Sequence, residues 1–265
     1  MSSMINSADG TPIAYERAGQ GPAVILVDGA LSFRGSSING GLAEALAPDF
    51  TVYTYDRRGR GESGDTRPYA LEREVEDLEA LVKEAGGSVR LYGTSSGAAL
   101  ALAAVRNGLP VERLALYEPP FIVDGARPPI KGDYPRRLEA LVAAGRRAEA
   151  VRLFMREGVG LPGIVVAMMR FMPAWSRLKA VAHTLPYDTA IVSPHQRGEP
   201  YPEGAWASVT VPTLVADGGK SPQWMRNSVG ALAKALPAAD HRTLDGQTHI
   251  VKPEALAPVL REFFA

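Results

Sequence analysis

The sequence predicts an α/β fold, a parallel sheet covered by helices and interrupted once by a helical insertion. Three observations carry this: short continuous apolar runs recur, helical periodicity lies between them, and the alternation stops after Tyr117 and returns near Thr213. An apolar run without polar alternation is a strand buried on both faces, the condition of strands in a parallel sheet.

The first thirty residues hold two short strand-like runs around Asp9-Gly10, a hairpin signal, and then AVILV from Ala23 to Val27. The same type of run recurs as TVYTY (Thr51 to Tyr55), VRLY (Val89 to Tyr92), RLALY (Arg113 to Tyr117) and TLVA (Thr213 to Ala216). In LEREVEDLEALVKEAGG, Val75, Leu78, Leu81 and Val82 share one helical face and Gly86 supplies the stop. SGAALALAAVRNG reads as a second helix, ending at Gly108. From Pro119 to about Ala207 the chain is rich in Pro, Arg and Met and reads as short helices joined by turns, with PGIVVAMMRFMPAW an apolar helix broken by Pro173. Afterwards come a strand at Thr213, a helix from about Gln223 to Leu236, a strand near His241 to Leu244, and a last helix from about Pro253 to Phe264. The expected organisation is a core of residues 1–118 and 208–265 with a helical insertion at 119–207.

Composition narrows the function classes. The 265 residues carry 29 Lys plus Arg and 29 Asp plus Glu, so no global field attracts nucleic acid or an anionic membrane, and a small neutral molecule fits better as partner. With no cysteine, disulfides, thiolate metal sites and a cysteine nucleophile are excluded. The N-terminus lacks a basic region followed by an apolar one, and no apolar stretch reaches the length of a membrane span. The expectation is a soluble, cytoplasmic protein, monomer or homodimer. The four histidines are scattered without ligand spacing, so no metal is expected, and GRGESG does not open a helix as a dinucleotide fingerprint must, so no cofactor is expected either.

Chemistry is concentrated at Gly93-Thr94-Ser95-Ser96-Gly97, the turn between the strand VRLY and the helix that follows. It fits G-x-S-x-G, in which a tight strand-to-helix turn strains the serine backbone and lifts its hydroxyl above the sheet. Side chains at Gly93 or Gly97 would collide with a neighbouring strand or helix, and the helix N-terminus favours negative charge beside Ser95. The bland alternative is a Gly-Ser turn in a Rossmann-like crossover. A serine needs a base. His183 lies in the insertion, His195 in a polar loop and His241 at the start of a strand, all expected to be structural or solvated. His249 stands between the last strand and the last helix, on the same carboxyl edge as Ser95.

Together, ILVDGAL, YDRRGRGESG, GTSSG and GQTHI resemble, in order, four markers of the α/β-hydrolase superfamily, and the resemblance spans nearly the whole chain. It implies an eight-stranded, mostly parallel sheet flanked by helices, a small helical lid inserted after the sixth strand, and Ser-His-acid chemistry. By position the oxyanion donors would be the backbone N–H groups of Ala30 and Ser96. Two departures stand out. Asp28-Gly29 replaces the usual His-Gly, with Asp28 either capping its loop or offering a carboxylate near the site. Ser221 occupies the position after the seventh strand where the acid is commonly found. Glu118, Asp217 and Asp245 are the possible substitutes; Glu118, at the end of the sixth strand and stiffened by Pro119 and Pro120, is preferred, as in the family members that carry their acid there. Asp56 is expected to order its own turn, and that turn's three arginines to be solvated or paired with carboxylates.

The reading is a carboxylic ester hydrolase acting through an acyl-enzyme, with Ser95 as nucleophile, His249 as base and Glu118 as acid. Met168, Met169, Phe171, Met172 and Trp175 of the insertion are expected to form an apolar wall for a small, largely hydrophobic ester or lactone, or else to pack the insertion onto the core. Carbon–carbon hydrolysis and lyase chemistry remain open on the same fold, as does a weakly or non-catalytic binding protein, which the serine at 221 motivates.

Overall fold

The computed structural model describes residues 2–36 and 39–265. Eight strands, β1 (Ser3–Asn6), β2 (Pro12–Ala18), β3 (Ala23–Val27), β4 (Thr51–Tyr55), β5 (Val89–Thr94), β6 (Arg113–Tyr117), β7 (Thr213–Gly218) and β8 (Ala239–Leu244), form one sheet in the order β1-β2-β4-β3-β5-β6-β7-β8. β1 and β2 pair as an antiparallel hairpin and β2 is antiparallel to β4; every later pair is parallel. β3 and the end of β5 are buried throughout, which is why their sequences are apolar without alternation.

Helices α1 (Asn39–Leu46), α2 (Leu71–Glu84) and α3 (Ser96–Arg106) follow β3, β4 and β5. Between β6 and β7 lie five short helices, α4 (Tyr134–Ala143), α5 (Arg147–Leu153), α6 (Gly163–Met168), α7 (Trp175–Ala180) and α8 (Leu185–Val192), with a π-helical turn at Phe154–Val159. α9 (Gln223–Ala235) and α10 (Pro253–Phe264) complete the chain, close to the expected positions. The face of the sheet covered by α2, α3 and α9 carries a core that includes Ile25, Leu91, Leu100, Leu116, Val229 and Leu232. The opposite face packs Val24, Leu26, Tyr92 and Leu214 against Leu42 and Leu46 of α1 and Leu256, Leu260 and Phe264 of α10. A separate core, with Tyr134, Leu138, Val151, Trp175 and Leu185, holds the helices between β6 and β7 together and reaches Leu31 of the loop after β3.

One expectation about this scaffold is corrected in part. None of the three arginines of YDRRGRGESG is solvated: Arg57, Arg58 and Arg60 are each 1% exposed. Arg57 meets Glu74 of α2 through two bonds of 2.7 Å and Asp188 of α8 at 2.7 Å. Arg58 makes two bonds to Asp77 at 2.7 and 2.8 Å and a third to Asp9 at 2.9 Å. Glu74 and Asp77 accordingly sit on the buried side of α2, where periodicity alone places only apolar residues. The adjacent Asp56 accepts the Arg34 and Glu62 backbone N–H groups at 2.7 and 3.0 Å, ordering its turn as expected.

Candidate active site

The parallel register brings the chemistry to one edge. Ser95 follows β5 and Glu118 follows β6, and the two strands pair Thr94 with Tyr117. The Ser95 N–H donates to the Tyr117 carbonyl at 2.9 Å and the Glu118 N–H to the Ala216 carbonyl at 3.1 Å, so the ends of β5, β6 and β7 are laced together. Close packing explains the glycines of the elbow. A Cβ on Gly97 would lie 2.4 Å from the Val27 carbonyl oxygen, and one on Gly93 2.5 Å from that of Gly97.

Backbone strain marks the same place. Among the described residues, the non-glycine residues with left-handed φ are Leu31 (61°), Ser95 (56°) and Glu118 (47°), and all three belong to the loops that build this site. Such conformations persist only where surrounding contacts over-determine them, and they cluster at functional sites.

His249 joins the two strand ends. Its Nε2 lies 3.1 Å from Ser95 Oγ and its Nδ1 2.7 Å from Glu118 Oε2. Glu118 is fully buried, and its other oxygen accepts the Gly218 N–H at 2.7 Å, so both carboxylate oxygens are engaged and the carboxylate plane is held. The loop carrying His249 is itself pinned: Tyr117 Oη donates to the Thr248 carbonyl at 2.6 Å, the Lys220 N–H to the Gln247 carbonyl at 2.8 Å, and the Lys252 N–H to Gln247 Oε1 at 3.0 Å. An imidazole held this way needs little further ordering to act on Ser95.

The competing carboxylates point elsewhere. Asp217 is buried on β7, but its Oδ2 meets His241 Nε2 at 2.7 Å and its Oδ1 faces Arg226. Asp245 is exposed in the turn after β8. Ser221 Oγ, although buried, has no hydrogen-bond partner among the described residues. Asp28 accepts from Asn39 Nδ2 at 2.8 Å, tying its loop to the start of α1.

Ser95 opens into a cavity of about 610 Å³. Ala30 and Ser96 line it, and neither backbone N–H is taken by a backbone acceptor among the described residues. The expected apolar wall is corrected. Met168 and Met172 are 63% and 50% exposed, Phe171 is 74% exposed, and Met169 and Trp175 are buried within the core of the inter-strand helices; none lines the cavity. The reason is geometric: the π-helical turn after α5 and the loop beyond it occupy that wall, so Phe154, Met155, Val159 and Leu161 line the cavity, with Leu178 and Val192.

Asp188 is a site residue the sequence offered no sign of. It projects from α8 to the cavity and accepts from Ser96 Oγ at 2.7 Å, Arg57 at 2.7 Å and Arg60 at 2.6 Å. Burial alone would raise its pKa; Arg60 and Arg57, with the Ser96 hydroxyl, outweigh that and hold the carboxyl below its ordinary value. Arg60 also donates to the Gly29 carbonyl at 2.6 Å, so one ionic cluster ties α8, Ser96 and the loop before Ala30. Among the described residues no group of His, Asp and Glu could hold a metal ion, and no helix is long and apolar enough to cross a membrane.

The comparisons with known proteins agree with the fold. A family model described as the alpha/beta hydrolase family matches residues 24–259, and the chain belongs to that family. An alpha/beta hydrolase from Sphaerobacter thermophilus is 54% identical, with a TM-score of 0.92, over 99% of this chain and 100% of that one. An esterase from Thermogutta terrifontis (23% identity, TM-score 0.69, covering 100% of this chain and 98% of that one) and an enol-lactonase from Burkholderia xenovorans (20%, 0.71, 99% of each) share the fold.

Proposed function

We propose that the protein is a serine hydrolase that cleaves a carboxylic ester or lactone through an acyl-enzyme, with Ser95, His249 and Glu118 as its triad. The observation that carries this reading is the continuous hydrogen-bonded chain from Ser95 Oγ through both ring nitrogens of His249 to a fully buried carboxylate. Ser95 attacks the substrate carbonyl as His249 Nε2 takes its proton, and Glu118 holds the Nδ1–H tautomer and stabilises the imidazolium. The N–H groups of Ala30 and Ser96 receive the oxyanion, the second at the N-terminus of α3 where the helix dipole favours negative charge. His249 then protonates the leaving alcohol or enol, and water, activated by the same base, releases the acid.

The serine at position 221, which motivates a non-catalytic binding role, loses its weight because Glu118 reaches His249 from the neighbouring strand. The helices between β6 and β7 serve as the lid of this reading: they cover the serine and supply the apolar wall that accepts the body of a small substrate. The test is reaction with a fluorophosphonate followed by peptide-level mass analysis, together with a panel of short-chain esters and lactones. The expected result is a single adduct on Ser95, absent in Ser95→Ala, with ester turnover lost in the same variant by about a million-fold. A folded protein that forms no Ser95 adduct and turns over no ester overturns the proposal.

A further inference from the structure

One cation on the wall of the cavity has no use in the mechanism above. Arg127, in the segment between β6 and α4, lines the cavity with Ser95 and His249 and is half-buried. Its Nη2 donates to the carbonyl oxygens of Glu157 and Gly158 at 3.0 and 2.7 Å, and its guanidinium stacks 4.6 Å from the Trp224 ring centroid. These contacts fix the plane of the fork without neutralising it. Among the described residues, Arg127 has no salt bridge and no hydrogen bond from Nε or Nη1; the nearby Glu157 carboxylate is taken by Arg137. Burial draws the guanidinium below its ordinary pKa, opposed only by Tyr134, so no carboxylate compensates it.

The surroundings reinforce the charge. Tyr134, buried on the same wall, is approached loosely by Thr189, and its hydroxyl has no hydrogen bond of normal geometry among the described residues. Arg177 borders the cavity from an exposed position, without an ion pair among them. Asp188, the cavity's one carboxylate among the described lining residues, is already occupied by Arg57, Arg60 and Ser96. An uncompensated, desolvated guanidinium is costly unless something anionic meets it in the working state.

We propose that Arg127, with the Tyr134 hydroxyl, forms a carboxylate subsite, so that the ester or lactone substrate carries an ionised carboxylate on an otherwise apolar body. This deepens the hydrolase reading and rests on it for the identity of the reacting bond. It replaces the neutral substrate expected from the balanced composition, because uncompensated charge local to a cavity is invisible to net charge. Arginine suits the role, since its guanidinium stays charged in the cavity and, with Nη2 held by the two carbonyls, Nε and Nη1 keep N–H donors for a charge-assisted bond to a carboxylate.

The test compares p-nitrophenyl hydrogen glutarate, an anionic hemiester, with neutral p-nitrophenyl pentanoate. The native protein should favour the hemiester in kcat/KM, and Arg127→Gln should lower the hemiester-to-pentanoate ratio about 10- to 100-fold, the range for a charge-assisted hydrogen bond. Using the ratio cancels any general loss of activity. Arg127→Lys, which retains the charge without the planar guanidinium and its anchoring to the Glu157 and Gly158 carbonyls, should give an intermediate ratio and serves where the Gln variant fails to fold. Calorimetric binding of the hemiester to Ser95→Ala, with and without Arg127→Gln, reads the subsite without turnover. A native preference for the pentanoate, a ratio unchanged by either Arg127 substitution, or hemiester binding to Ser95→Ala that ignores Arg127 overturns the subsite. Absence of hydrolysis of both esters, with Arg127-dependent binding retained, overturns the hydrolase reading and leaves the subsite standing.

Discussion

Replacing Glu118 by Gln tests the site at its least exchangeable point. Glu118 uses one oxygen for the Gly218 N–H and the other for His249 Nδ1, each at 2.7 Å, and it is fully buried. In the glutamine variant the amide oxygen is the only acceptor left, and the Gly218 N–H, a fixed backbone donor, claims it. The amide NH₂ then faces Nδ1, so the imidazole must accept there and carry its proton on Nε2, toward Ser95. A histidine in that tautomer cannot take the serine proton, and the charge that stabilises the imidazolium is gone as well. A wrong-tautomer change of this type costs about 10,000-fold in kcat, near 5.4 kcal/mol of transition-state stabilisation. The assay is steady-state hydrolysis of an activated ester beside the rate of fluorophosphonate labelling at Ser95, with circular dichroism as the check on folding. Asp217→Asn serves as the contrast, since Asp217 pairs with His241. A Glu118→Gln variant that keeps more than about a tenth of native kcat, or an Asp217→Asn variant that loses as much as Glu118→Gln is expected to, refutes the assignment of the acid.

Three further outcomes follow from the packing and electrostatics. Gly97→Ala places a methyl 2.4 Å from the Val27 carbonyl oxygen and should destabilise the fold by about 3 kcal/mol or more, read as the shift in a urea unfolding midpoint at unchanged slope. Asp188→Asn leaves Arg57 and Arg60 short of a buried counter-charge and should cost about 3–5 kcal/mol, whereas Ser96→Ala, which removes a single bond to the same carboxylate, should cost about 1 kcal/mol; equal effects would show that the cluster is not ionic. His195 packs against Phe121 and Trp206, and burial, with Arg106 and Arg197 nearby, pushes its imidazole down from 6.5 to about 4. With the folded value below the unfolded one, its contribution is complete above about pH 6.5 and is lost as the pH falls toward 4, by up to about 3 kcal/mol before allowance for partial exposure. His195→Phe should therefore gain in Tm relative to the native protein between pH 7 and 4.5, and a Tm difference that does not change with pH contradicts the assignment.

The strands, most of the helices and the Ser95 elbow were legible because each is written locally. An apolar run of five residues, a 3.6-residue stripe and a glycine-bracketed turn need no knowledge of what lies across the sheet. His249 was legible at one remove, since its place between the last strand and the last helix already puts it on the carboxyl edge. The acid was less so. Glu118, Asp217 and Asp245 read alike along the chain, and what separates them is which side chain reaches an imidazole 131 residues away from Glu118.

The sequence by itself determined the order of elements, the edge at which chemistry gathers and the identity of the strained serine, because propensity, periodicity and turn sterics act over a few residues. Only the tertiary structure decided which carboxylate meets His249, that Arg57, Arg58 and Arg60 are buried with Glu74, Asp77 and Asp188, and that Phe154 and Met155 rather than Met168 and Met172 line the cavity. Those outcomes depend on distances between segments up to 131 residues apart. A charge or an apolar side chain carries no mark along the chain of the partner that packing will set beside it; the low-dielectric interior selects that partner, because a buried charge must be matched and a buried methyl must be in contact.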